Sequence, residues 1–227
     1  MLKKIWMVVL GSALLASMPA QAEGELMVLP ASTKLFNAHE KSIKVRNVGD
    51  APLYLSVMVE KVTNPGLSPE KKVKLRDIPN PGMLASPDKI TLGPNQARDL
   101  RLISLGEPKE EVLYRVYIMP VKSLTVEQAP ADKITAPLSV SIGYGVLVRH
   151  MPAPDKQKSG WSHRCENGGI TLTNTGNVRV RFSEIQVSPS GKSQPTAIGL
   201  FPGVPQVVKG KKITMNVEDK PATVSCP

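Results

Sequence analysis

The feature that most constrains this chain is a two-residue rhythm: short runs of alternating apolar and polar side chains, each closed by proline or glycine. Ser42-Ile43-Lys44-Val45-Arg46-Asn47-Val48 alternates cleanly and runs into a Gly49-Asp50-Ala51-Pro52 turn. Leu53–Val62, Lys89–Leu92 with its Gly93-Pro94 stop, Arg98–Ser104 and Val112–Val121 repeat the pattern. Successive side chains on a strand point to opposite faces, so this period specifies half-buried strands rather than helices. Proline, at 21 of 227 residues, is well above the roughly 5% of ordinary usage and punctuates the runs. Beyond the N-terminal segment no stretch carries an i, i+3, i+4, i+7 apolar pattern. The expected class is all-β.

Met151 to Gly160 interrupts the rhythm with prolines and charges and reads as a linker. A second set of strands follows at Ile170–Asn174, Val178–Val187, Val204–Val208 and Ile213–Val217. Strands this short, at this spacing, predict an immunoglobulin-like sandwich in each half. The expected organisation is a cleaved segment over 1–22, an N-terminal domain over 23–152 and a C-terminal domain over 153–227. One echo links the halves: Val45–Leu53 and Leu172–Val180 both read as strand, Asn-x-Gly turn, strand.

The first residues decide the compartment. Lys3-Lys4, the apolar run from Ile5 to Ala16 and the small-residue site Ala20-Gln21-Ala22 are laid out as a secretory signal. The apolar run falls short of the roughly 20 residues that span a bilayer, so stable membrane insertion is not expected. In an oxidising compartment Cys165 and Cys226 are expected to pair, tying the first strand of the second domain to its last. Their wide spacing does not suit zinc. The net charge of +10 is scattered rather than gathered into a stripe, which argues against nucleic acid as a partner.

Catalytic chemistry is absent from the pattern. His39, His150 and His163 stand apart from any nucleophile, no G-x-S-x-G elbow or phosphate loop appears, and the methionines are dispersed. We therefore expect no enzyme activity, no cofactor and no metal.

What calls for explanation is the alternating run Leu138–Val148. It places Leu138, Val140, Ile142, Tyr144, Val146 and Val148 on one face and Ser139, Ser141, Gly143 and Gly145 on the other. It is about twice the usual strand length. Such a strand either stays inside its own sandwich or extends past it to pair with another chain, backbone to backbone.

These stretches carry a resemblance. Thr63-Asn64-Pro65-Gly66, Ser86–Gln96, Glu110–Tyr117 with its Tyr-Arg-Val-Tyr strand, Leu138–Tyr144, Leu147-Val148-Arg149 and Asn174–Arg179 occur in the order seen in periplasmic chaperones of the chaperone–usher pilus pathway. The chain is most similar to the alternate class that serves thin, CFA/I-like fimbriae. The resemblance implies two immunoglobulin-like domains set at an angle, a periplasmic location, and fimbrial subunits and an outer-membrane usher as partners. It implies that Leu138, Val140 and Ile142, joined by Ala136, insert into the groove of an incomplete subunit, while Leu26–Phe36 clamps the other side. Self-association of the free chain stays open.

One departure stands out. The better-known chaperones anchor the subunit's C-terminal carboxylate with an arginine in the first strand and a lysine in the long strand. Those positions fall here on Thr33 and Gly145. Ser32, Thr33, Lys34 and Arg149, with His150 nearby, are the candidates to take over. Two rival readings remain, a structural fibre subunit and an exported metal- or small-molecule-binding sandwich.

Overall fold

A computed structural model describes residues 24–121, 142–166, 169–188 and 195–227. The expected signal segment and most of Leu138–Ile142 lie outside them.

The first half builds two sheets. Strands β1 (Leu26–Leu29), β3 (Lys41–Asn47), β8 (Ala97–Ser104) and β6 (Met83–Ser86) form one, in the order β1-β3-β8-β6. The other has the order β2-β10-β9-β4-β5, with β2 (Ser32–Phe36), β10 (Tyr144–Met151), β9 (Val112–Pro120), β4 (Leu53–Val62) and β5 (Lys72–Lys74); β7 (Lys89–Leu92) also pairs with β4. The alternating side chains meet between the sheets, where Leu35, Ile43, Val45, Leu92, Leu100, Val116, Ile118 and Val148 are all fully buried. Burying an aliphatic side chain contributes about 1.5–3 kcal/mol, so this layer holds the sheets together.

The second half repeats the plan with fewer strands. Strands β11 (Trp161–Glu166), β12 (Gly169–Asn174) and β15 (Gln206–Val208) form one sheet; β14 (Ala197–Leu200), β13 (Val180–Ser188), β16 (Lys212–Val217) and β17 (Lys220–Ser225) form the other. Its core gathers Ile170, Leu172, Phe182, Leu200 and Ile213. Trp161 packs edge-on to Phe182, with ring centroids 5.3 Å apart. Cys165 and Cys226 are bonded, joining β11 to the end of β17 and so one sheet to the other. The architecture is the expected pair of immunoglobulin-like sandwiches.

The structure differs from the sequence reading in three places. The first segment, Leu26–Phe36, is two strands in different sheets. Pro30 has no N–H to continue a ladder, so the chain crosses over at Pro30-Ala31. β1 pairs with β3, and β2 pairs in parallel with β10. The long alternating run is strand only from Tyr144 onward among the described residues, and it continues to Met151. The interruption therefore begins at Pro152 rather than at Met151, because Met151 is buried as the last residue of β10.

Candidate functional site

β10 is paired unequally on its two sides. Against β9 it is in register from Tyr144↔Ile118 to His150↔Val112. On the other side, β2 covers only Leu147–Met151, and the Leu147 N–H donates to the Ala31 carbonyl at 3.0 Å. Among the described residues, no strand lies along that edge at Tyr144–Val146. Unpaired backbone polar groups favour a new strand partner. At the root of this half-open edge sits Ile142, 73% exposed, one of the expected inserting residues. Ala136, Leu138 and Val140 lie outside the described residues.

The expected anchor residues map as follows. Ser32, Thr33 and Lys34 lie on β2, opposite Leu147, Val148 and Arg149. Thr33 is thus beside Val148 and not beside Gly145. Arg149 is already committed: its Nε and Nη2 donate to the two carboxylate oxygens of Glu111, at 2.5 and 2.9 Å. The fork of two parallel bonds suits a guanidinium against a carboxylate. Glu111, its side chain fully buried, also accepts the Arg179 backbone N–H at 2.7 Å, while its own N–H donates to the Asn177 carbonyl. Asn177 donates in turn to the Lys109 and Lys156 carbonyls and accepts the Lys158 N–H. Burial pushes the Arg179 guanidinium below its ordinary pKa, and neighbouring Arg149 adds to this. The corner thus gathers the Arg149 guanidinium and the Arg179 backbone N–H on one carboxylate, with Lys34 exposed on the adjoining strand.

This network joins the two halves, and two further contacts help. Phe201 packs with Val62 and Leu113, and Leu147 packs against them. The loop that carries Thr63-Asn64-Pro65-Gly66 folds back through Asn64, which accepts the Lys71 N–H and donates to the Pro69 carbonyl. It presents Gly66 at φ +86° to the second half, where any Cβ would overlap the Gly199 carbonyl. Gln206 donates to the carbonyls of Gly199 and Gly66 at 3.0 and 3.3 Å. Arg115 fixes the same loop by a bidentate pair with Glu70, and that hydrogen bond holds the Glu70 carboxyl below the usual range. Sequence reasoning named Arg149 but missed Glu111, which lies 38 residues away with no local pattern to mark it.

His150, the other nearby candidate, points inward. It is 1% exposed, its Nε2 lies 2.8 Å from the Ser104 hydroxyl, and its Nδ1 has no partner. Burial lowers its pKa. Among the described residues no group of three or more His, Cys, Asp or Glu could hold a metal, and no helix is long and apolar enough to cross a membrane.

Comparison with known proteins decides the family. No protein-family model matches the chain. The class 5 fimbriae chaperone CfaA shares the fold, with a TM-score of 0.65 and 21% identity over 89% of this chain and 99% of that one. A chain of the complex between a chaperone and the tip adhesin of CFA/I fimbriae gives 0.68 and 22%, covering 89% and 98%. A Salmonella enterica complex of the SafA pilin with the SafB chaperone gives 0.57 and 17%, covering 91% and 98%. In sequence, the chain is 32% identical over 170 residues to a CFA/I fimbrial subunit of Escherichia coli, covering 74% of this chain and 70% of that protein. A CS1 fimbrial subunit of Escherichia coli is 30% identical over 173 residues, covering 75% and 71%. The chain belongs to the pilus chaperones of the chaperone–usher pathway, in the alternate, CFA/I-like class. The unequal pairing of β10 is therefore a feature of a chaperone's first half, and the Glu111–Arg149 corner lies where this chaperone's two halves meet.

Proposed function

We propose that this chaperone holds fimbrial subunits by donor-strand complementation. The half-paired edge of β10, leading directly into the alternating segment Leu138–Ile142, is the observation that carries the reading. A subunit that lacks one strand exposes an apolar groove and unpaired backbone groups, both unfavourable in water. Leu138, Val140 and Ile142, joined by Ala136, fill the groove, and the backbone beside them completes the sheet. Three aliphatic side chains contribute roughly 5–8 kcal/mol before the costs of association. β1 and β2 flank the bound subunit on the side where the chain crosses between sheets.

The subunit's C-terminal carboxylate docks by Ser32, Thr33 and Lys34 on β2. Arg149, already paired with Glu111, shapes that corner and holds Lys34's neighbouring strand in place. The chaperone works in the periplasm, consistent with the signal-like N-terminus, and passes its subunit to an outer-membrane usher that exchanges the donated strand for the next subunit's extension. The subunit-binding domain spans 23–152 and the disulfide-bonded domain 153–227.

Native mass spectrometry after co-expression with a candidate fimbrial subunit tests the reading. We expect a 1:1 complex that Val140→Asp or Ile142→Asp abolishes while the chaperone stays folded, since a carboxylate in an apolar groove is strongly disfavoured. Undiminished capture by both variants rules out this donor segment.

A further inference from the structure

β2 forms the edge of its sheet, and β10 is its neighbour there. It is five residues long, and Pro30 cuts it off from β1. The seam between β2 and β10 buries a histidine. His150 stands opposite Leu35 of β2 and opposite Val112 of β9. Its Nε2 meets the Ser104 hydroxyl of β8 at 2.8 Å. That hydroxyl has one proton, and two oxygens that only accept compete for it: the Gly106 carbonyl at 3.0 Å and Asn37 Oδ1 at 3.3 Å. The ring therefore donates from Nε2, and Nδ1 is a buried lone pair without a partner. A second proton on Nδ1 makes a charged donor in the core with nothing to receive it.

The surroundings offer that charge no counterpart. β2 presents Leu35, while Lys34 is exposed on its other face. β9 presents Val112 and Tyr114, whose hydroxyl is bonded to the Gly82 backbone. Glu111, just before β9, has both carboxylate oxygens on Arg149. Water is close, however. Ser104 lies on the wall of an open concavity of about 290 Å³, lined also by His39, Glu40 and Arg101.

We infer that His150 is a proton-operated latch on β2: the neutral ring holds the strand and the Asn37–Glu40 turn closed, and the protonated ring frees them by swinging toward that concavity. A freed ring takes up a proton below its ordinary value of about 6.5, whereas the buried ring resists it. Opening is therefore unaffected above that value and grows as the pH falls below it. β2 carries Ser32, Thr33 and Lys34, so acid also weakens the corner proposed to dock the subunit. That consequence rests on the donor-strand reading above; the latch itself does not.

Amide hydrogen exchange in the free chaperone reads the latch, with each rate divided by the intrinsic rate at that pH. The Leu147 N–H faces β2, so the alternation along the strand turns those of Arg149 and Met151 to the same side. Their protection should be roughly five- to thirtyfold lower at pH 5 than at pH 7.5, about thirtyfold being the ceiling set by the ordinary histidine value. The amides of β13 in the second half should keep theirs. His150→Gln should abolish the pH dependence, and His39→Gln, on the exposed turn, should retain it. If His150→Gln does not fold, the contrast between the seam and β13 in the unsubstituted chain decides. Protection at the seam that ignores pH, or that falls equally in both halves, overturns the latch. Capture of the fimbrial subunit at the two pH values then separates the readings. A fall in capture that His150→Gln removes supports both. A local loss of protection with capture unchanged upholds the latch and removes β2 from subunit docking.

Discussion

The two halves share a turn and differ at an edge. In the first, the Asn47 amide donates to the carbonyls of Ala51 (2.7 Å), Gly93 (3.0 Å) and Leu92 (3.4 Å), while its oxygen accepts the Gly49 N–H. In the second, Asn174 donates to Val178 and Leu200, both at 2.8 Å, and accepts the Gly176 N–H. Each asparagine is buried, closes its own turn through the residue two positions on, and ties that turn to a strand far away in sequence. The likeness seen in the sequence is thus a shared piece of scaffold. The edges follow opposite policies. β17 carries Lys220 and Pro221, and β11 carries Arg164 and Glu166, the charges and proline that discourage a foreign strand. The root of β10 is Gly143-Tyr144-Gly145-Val146, with no charge, no proline and, among the described residues, a strand on one side alone. What repeats between the halves supports the fold; what differs marks the half proposed to bind.

Three changes sharpen or break this comparison. The largest effect should come from replacing Cys165 and Cys226 together by serine. The bridge spans 61 residues, and closing a loop of that length stabilises by about 4 kcal/mol on the chain-entropy view. Denaturant unfolding should show that loss while subunit capture, read at a temperature where the variant is folded, stays within about twofold. A capture defect in the folded variant would mean that the second half does more than support. Next, Asn47→Ala and Asn174→Ala should each cost about 2–3 kcal/mol, because each strands buried carbonyls. Asn47→Ala should be the more damaging, since Asn47 makes the larger set of bonds and is wholly buried. Equal insensitivity of both would leave the shared turn without energetic meaning.

The smallest effect concerns pH. His150 lies on β10 against Leu35 of β2, with Ser104 of β8 and the Tyr114 ring of β9 as its polar neighbours. Its pKa in the fold is lowered by burial, so the folded state prefers the neutral ring. Its contribution to stability is complete above the unfolded value of about 6.5. It declines as pH falls from there toward the lowered folded value, because the unfolded chain takes up the proton first. Melting temperatures at pH 7.5 and 5 should therefore differ less in His150→Gln than in the unsubstituted protein. An identical acid shift in both would remove His150 from the account.

Much of this was legible in the residues because burial leaves a period behind it. Strands β3, β4, β7, β8, β9, β12 and β16 each set buried side chains against exposed ones, and the alternation finds them. β11 and β5 bury no side chain, and β17 buries only Val224 around its proline, so their pairing leaves no mark in composition. The family resemblance rested on ordered stretches and led to the correct class. The junction was not legible. Glu111 and Arg149 are 38 residues apart, and Gln206 and Gly66 are 140 apart. Folding alone brings these pairs together.

The central claim is that the half-paired edge of β10 takes up a subunit strand, and amide hydrogen exchange at Gly145 tests it most directly. The Leu147 N–H faces β2, and backbone groups alternate along a strand, so the Gly145 N–H turns to the same side, beyond the reach of β2. Exchange there should be rapid in the free chaperone relative to Leu147. It should slow by about a hundredfold or more in the complex, as a new backbone hydrogen bond demands. Unchanged exchange at Gly145 in a complex that has demonstrably formed would contradict the account, because the subunit would then be held somewhere other than this edge.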